Sequence, residues 1–253
     1  MRKEISLEGR HAIVTGGGTG IGRGIAGELV DAGANVILIG RRETVLEKTV
    51  SELGEKASYR VADLTEFEKL GELVEGIEKQ FPIDILVNNA GINRKGPFLE
   101  YKEEDFDKVV GIQEKVTFFL TKEVSKYMIR RKAGSIINIS SLSARIGMPS
   151  NQAYTMCKGG IVALTRSLMV ELAPYNIRVN SINPGYIYTD MIKEINVHTP
   201  ERLVVMEEAT PLKRFGTTKE IGMAAAFLAS DAASFITGID LYVDGGHGYA
   251  SRI

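Results

Sequence analysis

Thr15-Gly16-Gly17-Gly18-Thr19-Gly20-Ile21-Gly22 follows directly on the apolar run His11–Thr15 and opens into the amphipathic stretch Ile21–Ala32. A strand, a glycine turn and a helix in that order put backbone N–H groups at a helix N-terminus with no side chains in the way. That arrangement receives a pyrophosphate. The literal pattern Gly-x-Gly-x-x-Gly falls at Gly22, Gly24 and Gly27, inside the expected helix, where glycines are read as serving close helix–sheet packing. The spacing that matters is Gly16, Gly20 and Gly22, with Thr15, Gly18, Thr19 and Ile21 completing the expected phosphate turn.

Outward from this turn, continuous apolar runs alternate with helical patterns. The runs are His11–Thr15, Asn35–Ile39, Ala57–Val61, Asp84–Asn88, Ser135–Ser140, Ile177–Asn183 and Ile239–Val243. Runs without polar alternation suit strands covered on both faces. The helical patterns are Ile21–Ala32, Glu43–Leu53, Phe67–Phe81, Glu103–Arg131, Ala153–Tyr175 and Lys219–Ala229. Such an order implies right-handed βαβ crossovers and an α/β fold with one doubly wound parallel sheet. No repeat or linker interrupts residues 1–253, which are read as a single domain. The stretch 188–214 carries Pro200 and Pro211 and no strand signal, and is read as a helical insert over a site.

In a dinucleotide fold an acid at the end of the second strand binds the ribose 2′-hydroxyl. Here that end reads Ile39-Gly40-Arg41-Arg42. Glycine leaves room and two guanidiniums suit a 2′-phosphate, so NADP(H) is favoured over NAD(H).

The 253 residues are 44% hydrophobic and 25% charged, with a formal net charge of -1. A near-neutral chain argues against nucleic acid or an acidic membrane as partner. No stretch approaches the roughly 20 apolar residues of a membrane helix. Arg2, Lys3, Glu4 and Glu8 charge the first ten residues, unlike a signal or transit segment. Cys157 is the only cysteine, so no internal disulfide forms, and a reducing cytoplasmic location is expected. Three histidines, His11, His198 and His247, give no metal-ligand spacing, and no metal is expected.

Tyr154-Thr155-Met156-Cys157-Lys158 lies at the start of a helical pattern, with phenol and ammonium one turn apart on one face. Oxidising an alcohol to a ketone needs a proton acceptor while hydride leaves. A phenol with a pKa near 10 must drop by about two to three units to serve, roughly 3–4 kcal/mol. An ammonium about 5 Å away at an effective dielectric near 20 supplies roughly 3 kcal/mol. Cys157 between them is read as a small hydrophobe rather than a nucleophile, since no histidine stands near it in sequence.

With Thr15-Gly16-x-x-x-Gly20-x-Gly22, Asp63-Leu64, Asn88-Asn89-Ala90-Gly91, Ser140-Ser141, Tyr154-x-x-x-Lys158 and Pro184-Gly185 in order, the chain resembles the short-chain dehydrogenase/reductase family over essentially its whole length. The resemblance implies a Rossmann-type, seven-stranded parallel sheet with helices on both faces. It implies catalysis by Tyr154, Lys158 lowering its pKa and holding the nicotinamide ribose, and Ser141 orienting the substrate oxygen. Asp63 and Leu64 are expected near the adenine, Asn89, Ala90 and Gly91 beside the cofactor, and Ile187 and Thr189 at the carboxamide, with Pro184 and Gly185 alongside. A homotetramer is expected.

One position departs from the family. Gln113 stands where asparagine is usual, in a bulged helix whose carbonyl holds a water bonded to the lysine. Any residue offers that carbonyl. The side-chain packing that keeps the bulge is what the change puts at stake, and a slower proton relay is the expected cost.

Within the family, Asn89-Ala90-Gly91-Ile92-Asn93-Arg94-Lys95 and the run from Arg131-Lys132-Ala133-Gly134 to Ile139 resemble the gluconate and keto-gluconate dehydrogenase branch. Arg94, Lys95, Ser143 and Arg145 are candidate substrate residues, the cations for a carboxylate. The substrate implied is a keto sugar acid. Two other readings stand beside it: reduction of a 3-oxoacyl carrier-protein thioester, and a non-catalytic NADP(H)-binding scaffold or sensor.

Overall fold

The computed structural model describes residues 5–189 and 200–249. Seven parallel strands form one sheet in the order β3-β2-β1-β4-β5-β6-β9. They are β1 (His11–Thr15), β2 (Asn35–Gly40), β3 (Ala57–Val61), β4 (Ile85–Asn88), β5 (Gly134–Ile139), β6 (Ile177–Pro184) and β9 (Asp240–Val243). The chain winds outward from β1 to β3, returns to β4 beside β1, and winds the other way. The reversal opens a crevice at the C-terminal ends of β1 and β4, where such sheets bind ligands.

Along β1, Ala12 and Val14 pack with one core and Ile13 with the other. A period of two with both sets apolar gives the continuous run seen in the sequence. One face is covered by α1 (Gly20–Asp31) and by α8 (Thr218–Ala229), the first core including Ile25, Leu29, Ile221 and Leu228. The opposite core takes Val74 and Ile77 from α3 (Leu70–Glu78) and Leu120 and Val124 from α5 (Val116–Arg131). The edge strands β3 and β9 are only half-buried through most of their length.

Two expectations change. Gly24 serves helix–helix rather than helix–sheet packing: a Cβ there would stand 2.5 Å from Thr218 Cβ and 2.6 Å from its carbonyl oxygen. The helix expected over 103–131 is α4 (Glu103–Val110), a π-turn (Gly111–Lys115) and α5, so the bulge forms with glutamine inside it.

The stretch 188–214 contains α7 (Pro200–Ala209), and its residues 190–199 lie outside the described ones. Its first residue, Tyr188, belongs to a strand the sequence did not signal. β7 (Ile187–Tyr188) pairs with β8 (Gly216–Thr217) and ties the base of the excursion together. Among the described residues no helix is long and apolar enough to cross a membrane.

Candidate active site

Thr15 ends β1 and builds the crevice from beneath. Its hydroxyl donates to Val87 O at 3.3 Å and accepts from the main-chain N–H groups of Asn89 and Ala90, each at 2.9 Å. Asn89 Nδ2 donates back to Thr15 O at 2.9 Å. These bonds weld the loop after β4 to the loop after β1. The glycine turn passes through φ +63° at Gly16 and +53° at Gly20, left-handed values that other residues adopt at a cost. At Gly22, in the first turn of α1, a Cβ would stand 2.3 Å from Gly16 O, so the turn and the helix meet this closely only on glycine. Thr19 precedes α1 in extended conformation and makes no side-chain cap, leaving the first turn of N–H groups without one.

The crevice is a cleft of about 620 Å³. Of the residues expected at a cofactor, Gly16, Gly18, Thr19, Gly20, Ile21 and Gly22 line it, as do Arg41, Arg42, Asp63, Leu64, Asn89, Ala90, Gly91, Gly185, Ile187 and Thr189. Thr15 lies beneath it, and Pro184, Tyr154 and Lys158 are not in its wall. The sequence reading missed Val45, Leu46, Ile92, Ile112 and Tyr186, which do line it. Tyr186 sits between two expected residues and was within reach of the motif; Val45, Leu46 and Ile112 come from helical segments and carry no local signal.

At the end of β2, Arg41 Nη1 lies 3.6 Å from Asp63 Oδ2. Asp63 also accepts from Thr65 Oγ1 at 2.7 Å and Thr65 N at 3.0 Å. The Thr65 bonds first, and the Arg41 charge after them, hold the Asp63 carboxyl below the usual range. Arg41 is largely exposed, and no residue other than Asp63 pairs with it among the described ones. Thr49 Oγ1 donates to Gly18 O at 3.0 Å and braces the turn from α2 (Glu43–Leu53).

Tyr154 and Lys158 lie on α6 (Gln152–Leu172) with the Lys158 ammonium 5.4 Å from the centre of the Tyr154 ring. Ser141 follows β5 and accepts from Ser143 N at 3.1 Å. In the chain by itself burial pushes the Tyr154 phenol up, and the Ser141 side chain opposes that rise, so the expected lowering does not come from these residues alone. Lys158 Nζ donates to Ile139 O at 2.8 Å, and burial brings its pKa down to about 8.

Gln113 is buried, with Nε2 donating to Ile92 O at 2.8 Å, and its own carbonyl accepts from Thr117 Oγ1 at 2.6 Å. Cys157 is buried and its thiol is pushed up to about 12, by burial first and by the neighbouring Glu114 next, which leaves it inert as a nucleophile.

Of the expected substrate residues, Arg94 is exposed with Nε 3.9 Å from Asp105 Oδ1, and Lys95 is exposed. Ser143 is buried with its hydroxyl unbonded. Arg145 is turned elsewhere: its guanidinium carbon lies 3.7 Å from the centre of the Tyr249 ring and 5.5 Å from that of Tyr242.

A family model described as enoyl-(acyl carrier protein) reductase matches residues 16–248. The 5-keto-D-gluconate 5-reductase of Escherichia coli K12 is 37% identical over 250 residues, 97% of this chain and 98% of that protein. The 3-oxoacyl-(acyl-carrier-protein) reductase FabG of Rickettsia prowazekii is 38% identical over 242 residues, 96% of this chain and 98% of its own. A solved gluconate 5-dehydrogenase from Burkholderia cenocepacia J2315, in complex with NADP and tartrate, superposes with a TM-score of 0.92 at 33% identity, covering 98% of both chains. The family model spans residues 16–248 and these relatives match nearly the whole chain, so the chain belongs to the short-chain dehydrogenase/reductase family of oxidoreductases.

Proposed function

We propose that the chain interconverts a secondary alcohol and a ketone on a sugar acid of the gluconate/5-keto-gluconate type, with NADP(H) as the hydride carrier. What carries the reading is Tyr154 and Lys158 one turn apart on α6, with the Lys158 ammonium 5.4 Å from the phenol ring and Ser141 just after β5, in a fold whose cleft is floored by the glycine turn. The cleft suits the cofactor. Its far end has Arg41 and Arg42 rather than an acid at the strand terminus, and a nearby helix start without a side-chain cap. Relatives point the same way, through the reductase of E. coli and the NADP complex from B. cenocepacia.

When bound, NADP(H) would supply or take the hydride, and its oxidised form would bring a positive charge that favours the phenolate. The chain's own residues do the rest. Ser141 hydrogen-bonds the substrate oxygen and fixes its direction. In reduction Tyr154 gives its proton to that oxygen; in oxidation it takes one, and the Ser141 side chain, which lowers the phenol pKa, favours the phenolate it needs. Lys158, anchored on Ile139 O, holds the ribose and adds its charge when protonated. Gln113 keeps the π-turn against the cleft wall. Arg94 and Lys95, exposed after β4, are the cations for the carboxylate. Exposed Phe118, Phe119 and Met156 on the two long helices support a homotetramer.

A second reading is favoured by the Rickettsia relative, which is equally similar: reduction of a 3-oxoacyl thioester on a carrier protein. NADPH oxidation against 5-keto-gluconate, simple keto sugars and an acetoacetyl thioester separates the two. Turnover on the keto acid is the expected result. Turnover on the thioester alone replaces the sugar acid, and tight NADPH binding with no turnover on any carbonyl replaces the enzyme by a scaffold.

A further inference from the structure

The turn after β9 touches three segments that surround the active site. Asp244 folds it, accepting from Gly246 N at 2.9 Å through Oδ1 and from Gly248 N at 2.7 Å through Oδ2. On one side it packs on the loop that carries Ser141: a Cβ on Gly248 would stand 3.1 Å from Leu142 Cδ1 and 3.4 Å from Arg145 Cδ. On a second side Asp244 Cα lies where a Cβ on Gly185 would come within 2.6 Å, against the cleft wall. On a third, Gly245 O accepts from Leu212 N at 3.2 Å, at the end of the excursion that holds α7.

Arg145 closes this assembly. It ends the short turn begun by Ser141, its N–H donating to Leu142 O at 3.0 Å. Its guanidinium carbon lies 3.7 Å from the Tyr249 ring centre, and Tyr249 meets Tyr242 edge-on at 5.5 Å. No carboxylate pairs with Arg145 among the described residues. A cation held by two aromatic faces, with one ring on the C-terminal turn and one on β9, fixes the end of the Ser141 turn in direction as well as position.

We propose that Tyr249 and Arg145 form a latch through which the C-terminal turn positions Ser141 for the reaction. Both are positioning residues. Neither touches the reacting atoms, and Arg145 is thereby withdrawn from carboxylate binding, leaving Arg94 and Lys95 for that task. The latch rests on the role given to Ser141 above.

The test uses the full chain and its Tyr249→Ala, Tyr249→Phe and Arg145→Ala variants. Amide hydrogen exchange of residues 141–146 is read without substrate. It is expected to quicken several-fold in Tyr249→Ala and Arg145→Ala, to stay near wild type in Tyr249→Phe, which keeps the ring, and to leave the π-turn 111–115 unchanged. With the ketone substrate, kcat is expected to fall about tenfold in the two alanine variants while NADPH affinity holds. The double variant is expected to be no worse than either single one. Unchanged exchange of 141–146 in Tyr249→Ala overturns the latch, as does equal quickening across the whole protein. Quickened exchange with full kcat overturns its catalytic role. Failure of wild-type turnover counts against the proposed function alone, because the exchange result stands without a substrate.

Discussion

Gln113 Nε2 donates to the main-chain oxygen of Ile92 at 2.8 Å, fastening the π-turn of the long helical stretch to the loop that walls the cleft. The same amide sits over Gly91, where a Cβ would stand 2.7 Å from Oε1 and 2.8 Å from Nε2. Gly91→Ala is therefore expected to cost about 1–3 kcal/mol and to weaken NADPH binding. In a Gln113→Ser background the same methyl has room and the added cost disappears. Thermal unfolding and NADPH titration of the four proteins check this; equal cost in both backgrounds assigns the glycine to something other than Gln113.

Tyr154→Phe keeps the ring and removes the proton. Turnover is expected to fall by about 10²–10⁴ with NADPH affinity unchanged. Ser141→Ala removes the side chain that lowers the phenol pKa, so the rising limb of alcohol oxidation is expected to move to higher pH. Initial rates across pH in both proteins decide the matter, and an unshifted limb assigns the titration to another group.

Lys158 has its pKa lowered from 10.5 to about 8 by burial. Below pH 8 the folded chain carries the full penalty of a buried ammonium. Between pH 8 and 10.5 the unfolded chain holds a proton the folded one has lost, so stability from this group rises with pH across that window. Lys158→Met is expected to stabilise the cofactor-free protein at pH 7 by roughly 1–3 kcal/mol, a gain that fades toward pH 10, while abolishing turnover. Urea unfolding of both proteins at pH 7 and pH 10 measures it.

Gly24 and Gly27 share the helix α1 and differ in what they face. Gly24→Ala drives a methyl into Thr218 and its carbonyl, and about 1–3 kcal/mol is expected to be lost as the two helices part. At Gly27 the nearest atom to an added Cβ is Leu53 Cδ2 at 3.6 Å, ordinary contact, and Gly27→Ala is expected to gain up to about 1 kcal/mol of helix propensity. Chemical denaturation of the pair tests the contrast.

Arg41 is exposed at the end of β2 and, among the described residues, pairs with Asp63 alone. Arg41→Ala is expected to weaken NADPH about tenfold and NADH hardly at all, because the lost pairing is to the 2′-phosphate. Fluorescence titrations with both nucleotides check it; equal losses remove the basis for preferring NADP(H).

The sheet was legible because burial on two faces demands continuous apolar runs. Each expected strand lies within one residue of the observed one at either end. The glycine turn was legible for a related reason: glycines forced by left-handed backbone and close approach leave a mark that no other residue can fill. The π-turn was not legible from periodicity, since one widened turn within 103–131 leaves the apolar spacing on both sides intact. Nor was Tyr188, because a two-residue strand is too short to pattern.

Sequence alone determined the order of strands and helices, the place of the phosphate turn and the residues able to move a proton, since these follow from local spacing and residue chemistry. Tertiary structure decided where charges spend themselves. Arg145 lies against Tyr249, Gln113 reaches Ile92, and Lys158 Nζ donates a hydrogen bond to Ile139 O. Each of these joins segments distant along the chain, and the cost of burying a charge depends on what the fold packs around it.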